Sequence, residues 1–345
     1  MSDAALEELI DRVTEALDEG DLEAAGAALD DAKARGGENH PHVLHMAGMV
    51  AWERGDTSHA LGFLMQAMDQ GPDKPMIYLD GAECLMAAGE SIDEAEAAVA
   101  MALKLESITE QERNEAFLLL AQIRLNAEDP DEALEHLEKI SPDLHGHGAF
   151  LATKAAVMDA LERFDEAAEA LKAAIAQEPG EPDFHYHLGI VLEHSGRSEE
   201  AVEAMLKVLE LDLAADRELG DMVGGPPSFA EIQQLRGALE DVFEGLPDPL
   251  LRLVANAPIT VQDRATADQV RAGMDPRATI AFLGTPKQSD ADDDDSAQLD
   301  GIVVMRDLLV TSIEDDEDIP EALIEALVDE LRGFFRLSDV VVESV

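Results

Sequence analysis

His187-Leu188-Gly189-Ile190-Val191-Leu192-Glu193-His194-Ser195-Gly196-Arg197-Ser198-Glu199-Glu200-Ala201, running on to Leu211-Asp212, reads as two helices joined by a tight turn. Gly196 ends the first helix and Ser198 is placed to cap the second. Gly189 and Ala201 are small where two antiparallel helices must approach closely, because a larger side chain at either position would push the backbones apart.

The same grammar recurs upstream. Ala25, Ala60, Ala95, Ala133, Ala167 and Ala201 follow one another at steps of 35, 35, 38, 34 and 34, each just after a turn such as Gly20-Asp21 or Gly55-Asp56. About twelve positions before them lie Gly48, Ala82, Ala121, Ala155 and Gly189. Seven after them lie Ala67, Ala102 and Ala174, with Pro72 and Pro179 closing their units. A 34-residue helix–turn–helix with this spacing resembles the tetratricopeptide repeat, and about six copies fill residues 1–212. The resemblance implies an all-α superhelix whose units stack because none buries its apolar face alone, and a groove that binds proteins or peptides.

The peptide-clamping members of that family hold a terminal carboxylate with Lys, Arg and Asn on first helices. The corresponding helices here offer His42, His45, Trp52, Tyr78, Asp80, Glu83, His185 and His187, so that chemistry is not carried over. An acidic groove suits a basic or apolar segment. Trp52, Tyr78, His185 and Tyr186 are the candidate binding residues, since large aromatic side chains anchor binding surfaces. For Trp52 the competing reading, packing between helices, is the stronger one. The His42/His45, His145/His147 and His185/His187 pairs lack a third ligand of the usual type, and no metal site is assigned to them. Cys84 reads as a small buried apolar residue.

Gly220, Gly224, Gly225, Pro226 and Pro227 break the rhythm, which places a linker at 213–227 and a second domain at 228–345. A helix over Phe229–Phe243, β-like runs at Ile259–Gln262, Ala278–Leu283 and Ile302–Leu309, and a last helix from Ile319-Pro320 to Phe335 describe a small α+β domain. The acidic runs Asp290–Asp295 and Glu314–Asp318 read as solvated loops, because counting twelve from Asp290 reaches Gly301 where a calcium loop needs Glu.

Phe229 with Ala238-Leu239 and Leu246-Pro247, the strand Ile259–Val261, Phe282-Leu283-Gly284 and the terminal Leu337-Ser338-Asp339 occur in an order that resembles the minimal zincin-like metallopeptidases. That family carries His-Glu-x-x-His on its last helix, followed by x-x-Gly-Leu-Ser-Asp. Alignment on Leu337-Ser338-Asp339 puts Asp329 and Gly333 where the resemblance implies two zinc-binding histidines. Glu330 falls on the general base, Arg336 on the glycine and Asp339 on the third ligand. Both imidazoles are missing, and no His or Cys follows His194. The resemblance therefore implies a pseudoenzyme without catalytic residues or cofactor.

The formal charge of −52 comes from 76 acidic and 24 basic residues, with −17 in residues 228–345. Lys and Arg are too scarce and scattered to hold a phosphate backbone, which excludes nucleic acid as a partner. The even spread of acidity fits a saline or crowded surrounding, with a basic partner as the other reading. A start at Met1-Ser2-Asp3-Ala4-Ala5-Leu6-Glu7-Glu8 without a basic, apolar leader, no apolar run of about 18 residues, and one cysteine fit a cytoplasmic protein that does not enter membranes. The expected function is non-catalytic: a repeat scaffold that binds a protein or peptide, joined to a pseudo-metallopeptidase domain. A metallopeptidase with non-standard or partner-donated ligands and an assembly factor or co-chaperone are the alternatives.

Overall fold

A computed structural model describes residues 4–89, 91–218, 228–287, 297–311 and 319–337. The chain divides into two compact units, Met1–Glu178 and Pro179–Val345. Both acidic runs, the Gly/Pro segment 219–227, and Ser338 and Asp339 lie outside the described residues.

The first unit consists of five helical hairpins: α1 (Ala4–Asp18) with α2 (Leu22–Gly36), α3 (Pro41–Glu53) with α4 (Thr57–Asp69), α5 (Pro75–Ala87) with α6 (Ile92–Lys104), α7 (Glu110–Asn126) with α8 (Pro130–Leu137), and α9 (Gly148–Ala160) with α10 (Phe164–Gln177). The alanine series explains the packing. Ala25, Ala60, Ala95, Ala133 and Ala167 are all buried, as are Ala67, Ala102 and Ala174. At Gly48 an added Cβ would stand 2.6 Å from the Leu64 side chain of the partner helix. The 38-residue step arises because α7 has 17 residues where the other first helices between α3 and α9 have 13, one extra turn.

Caps fix the helix starts. Asp21, Asp56 and Asp129 accept hydrogen bonds from the backbone N–H groups of Ala24, His59 and Glu132, and Thr109 and Glu112 form a reciprocal capping box. Each hairpin turn needs one left-handed residue, supplied by Gly20, Gly55 and Gly89, but by Glu128 and Glu162 in the fourth and fifth hairpins, with φ of 59° and 57°. Both glutamates are exposed. Glu128→Gly and Glu162→Gly are each expected to raise stability by about 0.5–1 kcal/mol, since glycine removes the Cβ penalty there. The measurement is the denaturant midpoint at unchanged slope.

The second unit begins with a sixth hairpin, α11 (Pro182–His194) and α12 (Ser198–Glu218). It continues through α13 (Phe229–Glu244), α14 (Asp248–Val254), β1 (Ile259–Gln262), α15 (Ala267–Arg271), β2 (Ile280–Thr285), β3 (Gln298–Met305), α16 (Arg306–Thr311) and α17 (Ile319–Phe335). The sheet order is β1-β3-β2, with β1 parallel and β2 antiparallel to β3. Alternation along the strands sends Ile280, Phe282, Ile302 and Val304 into a core with α13 and α17. It sends Ala281, Val303 and Met305 to the opposite face, against Leu209 of α12 and Val270 of α15.

Two sequence expectations change here. Residues 213–218, expected to open the linker, continue α12, which is 21 residues long. The apolar run Ile302–Leu309 is not one strand: it leaves the sheet at Met305, and Arg306–Leu309 is helical.

Candidate functional site

Within the first unit, α5 packs beside α7 and α7 beside α9. His45 of α3 reaches Asp80 of α5 with Nε2 2.5 Å from Oδ2, both side chains largely buried. Near them Glu83 and Glu115 are pushed above the usual carboxylate range, first by burial and then by Asp80 and, for Glu115, by Glu83 and Glu112. His42 is lowered to about 4, mainly by burial and then by Lys74. These first helices therefore carry negative charge between apolar residues, on an exposed Glu83 and a partly buried Glu115.

The aromatic candidates divide. Tyr78 is 4% exposed and belongs to the core of Leu79, Val99 and Leu120, so it is not available as a surface anchor. Trp52 is half-buried against Ala60, Leu64 and Cys84 and packs between helices. Cys84 is buried, and burial followed by Glu83 pushes its thiol up to about 11. His185 lies with Nε2 3.3 Å from the Pro179 carbonyl oxygen. His145 stacks on Phe150 at 4.4 Å and His42 stands edge-on to His40.

Tyr186 is engaged within the second unit. Its hydroxyl donates to Asp275 Oδ2 at 2.7 Å, and the Arg277 guanidinium lies 5.2 Å from its ring centre. Arg277 donates from Nε and Nη2 to both oxygens of Asp212 at 2.9 Å and from Nη1 to Asp183 at 2.6 Å. These partners were invisible in sequence order, because Asp275 and Arg277 are about 90 residues from Asp183 and Tyr186.

The loop that carries Asp275 and Arg277 also forms one wall of a cleft of about 860 Å³. Its other walls are β2, from Ile280 to Gly284, and α17, through Ala322, Glu325, Ala326, Asp329, Glu330, Gly333 and Phe334. Asp329, Glu330 and Gly333, three of the five positions that the sequence aligns with the metallopeptidase motif, thus line one cavity. Asp339 lies outside the described residues. Glu330 accepts a hydrogen bond from the Phe282 N–H and is raised to about 7 by burial, then by Asp275 and Asp329. Asp329 is exposed and paired with Arg332 at 3.4 Å. Arg336 turns away and donates to the Lys287 carbonyl at 3.0 Å. Gly333 has no side chain to give and Asp329 is spent on an arginine, so this donor set does not fit zinc. Among the described residues, no group of three or more His, Cys, Asp or Glu gathers with the geometry to hold a metal ion.

A carboxyl whose folded pKa is raised favours folding below its unfolded value of about 4.5 and loses that contribution as pH climbs through about 7. Glu330→Gln keeps an acceptor for Phe282 and removes the buried charge. It is expected to stabilise the protein by about 2–3 kcal/mol at pH 8 and to change little at pH 4. Urea unfolding at the two pH values checks this.

Residues 159–217 match the tetratricopeptide repeat family. PilW, a widely conserved type IV pilus biogenesis factor, is similar over 63% of this chain and 98% of its own, at 14% identity and a TM-score of 0.53. The APC/C hetero-tetramer Cut9–Hcn1 contains a chain similar over 60% of this one and 40% of its own, at 14% identity and a TM-score of 0.51. MamA of Desulfovibrio magneticus RS-1, from residue 41 to its end, is 20% identical over 51% of this chain and 97% of its own, with a TM-score of 0.41. No curated protein matches the sequence. The helical hairpins have the tetratricopeptide-repeat fold, and a small three-stranded mixed sheet follows them. These likenesses lend no support to the metallopeptidase resemblance of residues 228–345. No helix among the described residues is long and apolar enough to cross a membrane.

Proposed function

We propose that the protein is a non-catalytic interaction scaffold whose repeats bind a basic or apolar segment of a protein partner. The observation that carries this is the pair Glu83 and Glu115 on neighbouring first helices, Glu83 exposed and Glu115 partly buried, each held above the usual carboxylate range by desolvation and then by nearby carboxylates. Carboxylates raised in this way cost the free protein stability and favour a guest that brings positive charge. Glu83→Lys with Glu115→Lys is expected to weaken a captured basic segment at least tenfold while leaving the fold intact. Affinity that is unchanged in the double variant and insensitive to salt would remove the electrostatic part of this reading.

We further propose that residues 228–345 are a metallopeptidase-like domain without a working metal site. The reading is supported by the cleft between β2 and α17, with Glu330 on the strand edge. Arg336 supports it as well: at the position aligned with the family's glycine it holds a left-handed φ of 50°. Asp329 and Gly333 stand in place of both imidazoles. Elemental analysis is expected to find no stoichiometric zinc, and protein substrates are expected to survive incubation. One tightly held zinc per chain, with proteolysis lost on Glu330→Gln, would establish the enzyme instead.

A further inference from the structure

The sixth hairpin already holds a ligand of the kind the scaffold reading calls for, supplied by its own chain. Asp183 and Tyr186 lie three residues apart on α11 and so share a face, and Asp212 rises beside them from α12. Into this recess the loop between α15 and β2 inserts Arg277. All three nitrogens of its guanidinium donate, two to Asp212 and one to Asp183, while its central carbon lies over the Tyr186 ring, 5.2 Å from the centre. A bidentate carboxylate, a second carboxylate and an aromatic face are the complement of guanidinium and not of ammonium, which has no planar fork. Asp275 completes the seat, since it accepts both the Tyr186 hydroxyl and the Arg277 N–H.

The seat is not sealed. Asp183 keeps 59% of its side-chain exposure and Arg277 27%, so solvent reaches one side of the pair. The loop leaves α15 through Gly273, whose φ is 98° and around which no atom lies within 4 Å of a Cβ position, which gives it a pivot.

We propose that Asp183, Tyr186 and Asp212 form an arginine-recognition site on the last repeat, closed in cis by Arg277 and opened to a partner's arginine when the 274–277 loop withdraws. The proposal rests on the reading of the repeats as a binder of basic segments and names the side chain that this hairpin takes. Because the resident arginine is tethered, a competitor faces an effective concentration on the order of millimolar. Removal of the resident therefore uncovers affinity.

The test uses the full chain and a capped nonapeptide of alternating arginine and glycine. Its lysine counterpart, of equal charge, reads the non-specific attraction of an acidic protein. Arg277→Ala is expected to bind the arginine peptide at least tenfold more tightly than the unaltered protein and to discriminate against the lysine peptide. Addition of Asp212→Asn is expected to abolish the gain. Should Arg277→Ala unfold the second unit, hydrogen exchange on the unaltered chain decides: saturating arginine peptide is expected to speed exchange at 272–278. Equal affinity in both proteins, or loop exchange that ignores bound peptide, overturns the cis-closed site. In that case binding that still depends on Glu83 and Glu115 leaves the scaffold reading standing, whereas no binding of either peptide at low salt overturns both.

Discussion

Residues 228–345 expressed alone are expected to aggregate or to remain molten, whereas residues 179–345 are expected to unfold in one cooperative transition. The reason is the second face of the sheet. Ala281, Val303 and Met305 point away from α17 and are covered by Leu209, with Leu206 and Leu213, from the last helix of the sixth hairpin, together with Val270. Burial of Val270, Val303 and Met305 contributes about 4.5–9 kcal/mol at the usual 1.5–3 kcal/mol per large apolar side chain. That approaches the whole stability of an ordinary domain, about 5–15 kcal/mol. Loss of α12 also frees Arg264, which pairs with Asp216 at 3.0 Å, and Arg277. Near-ultraviolet dichroism and a dye that binds exposed apolar surface distinguish the two fragments. A cooperative, dye-silent 228–345 fragment would show that the sheet needs no cover from the repeats.

The second large effect is expected at Arg306. It is 5% exposed, at the junction of β3 and α16, with Nη2 2.9 Å from Asp263 and 3.0 Å from Asp307 and Nη1 3.8 Å from Glu231 on α13. Burial already holds Asp263 above its ordinary range, and Arg306 is the charge that pulls it back. Arg306→Ala leaves Asp263 and Asp307 facing each other without a cation, and a loss of about 2–4 kcal/mol is expected. This is discounted from the 3–5 kcal/mol of a fully buried pair because Asp263 and Glu231 remain partly in water. Without the arginine the Asp263 carboxyl rises further. Its contribution is then present at low pH and lost as pH climbs through the raised value, so the variant is expected to lie closer to the parent at pH 4 than at pH 7. Guanidinium unfolding at both pH values measures this, and a loss independent of pH would assign the effect to packing.

The repeat array was legible because its requirement is local and periodic. A hairpin that closes on itself needs a small residue at a fixed step, and Ala25, Ala60, Ala95, Ala133, Ala167 and Ala201 are buried at those steps. The sheet was partly legible: Ile259–Gln262 falls where the alternation put it, whereas the apolar run from Ile302 does not reveal that the chain turns into a helix at Arg306. Only packing distinguishes a buried strand from a short buried helix of equal hydrophobicity.

For the candidate sites the division is different. Residue chemistry alone showed that no His or Cys follows His194 and made the first helices of the repeats acidic. Exposure was a matter for the tertiary structure, which sank Tyr78 into the core, wedged Trp52 between helices and covered Tyr186 with Arg277. It also made α12 serve twice, as the second helix of the sixth hairpin and as a layer over the sheet. Sequence determines which faces are apolar and which residues can bond, because periodicity and chemistry belong to the chain itself. Which apolar face meets which, and which charge finds its partner across 60 to 90 residues, is set only when distant segments compete to be buried together.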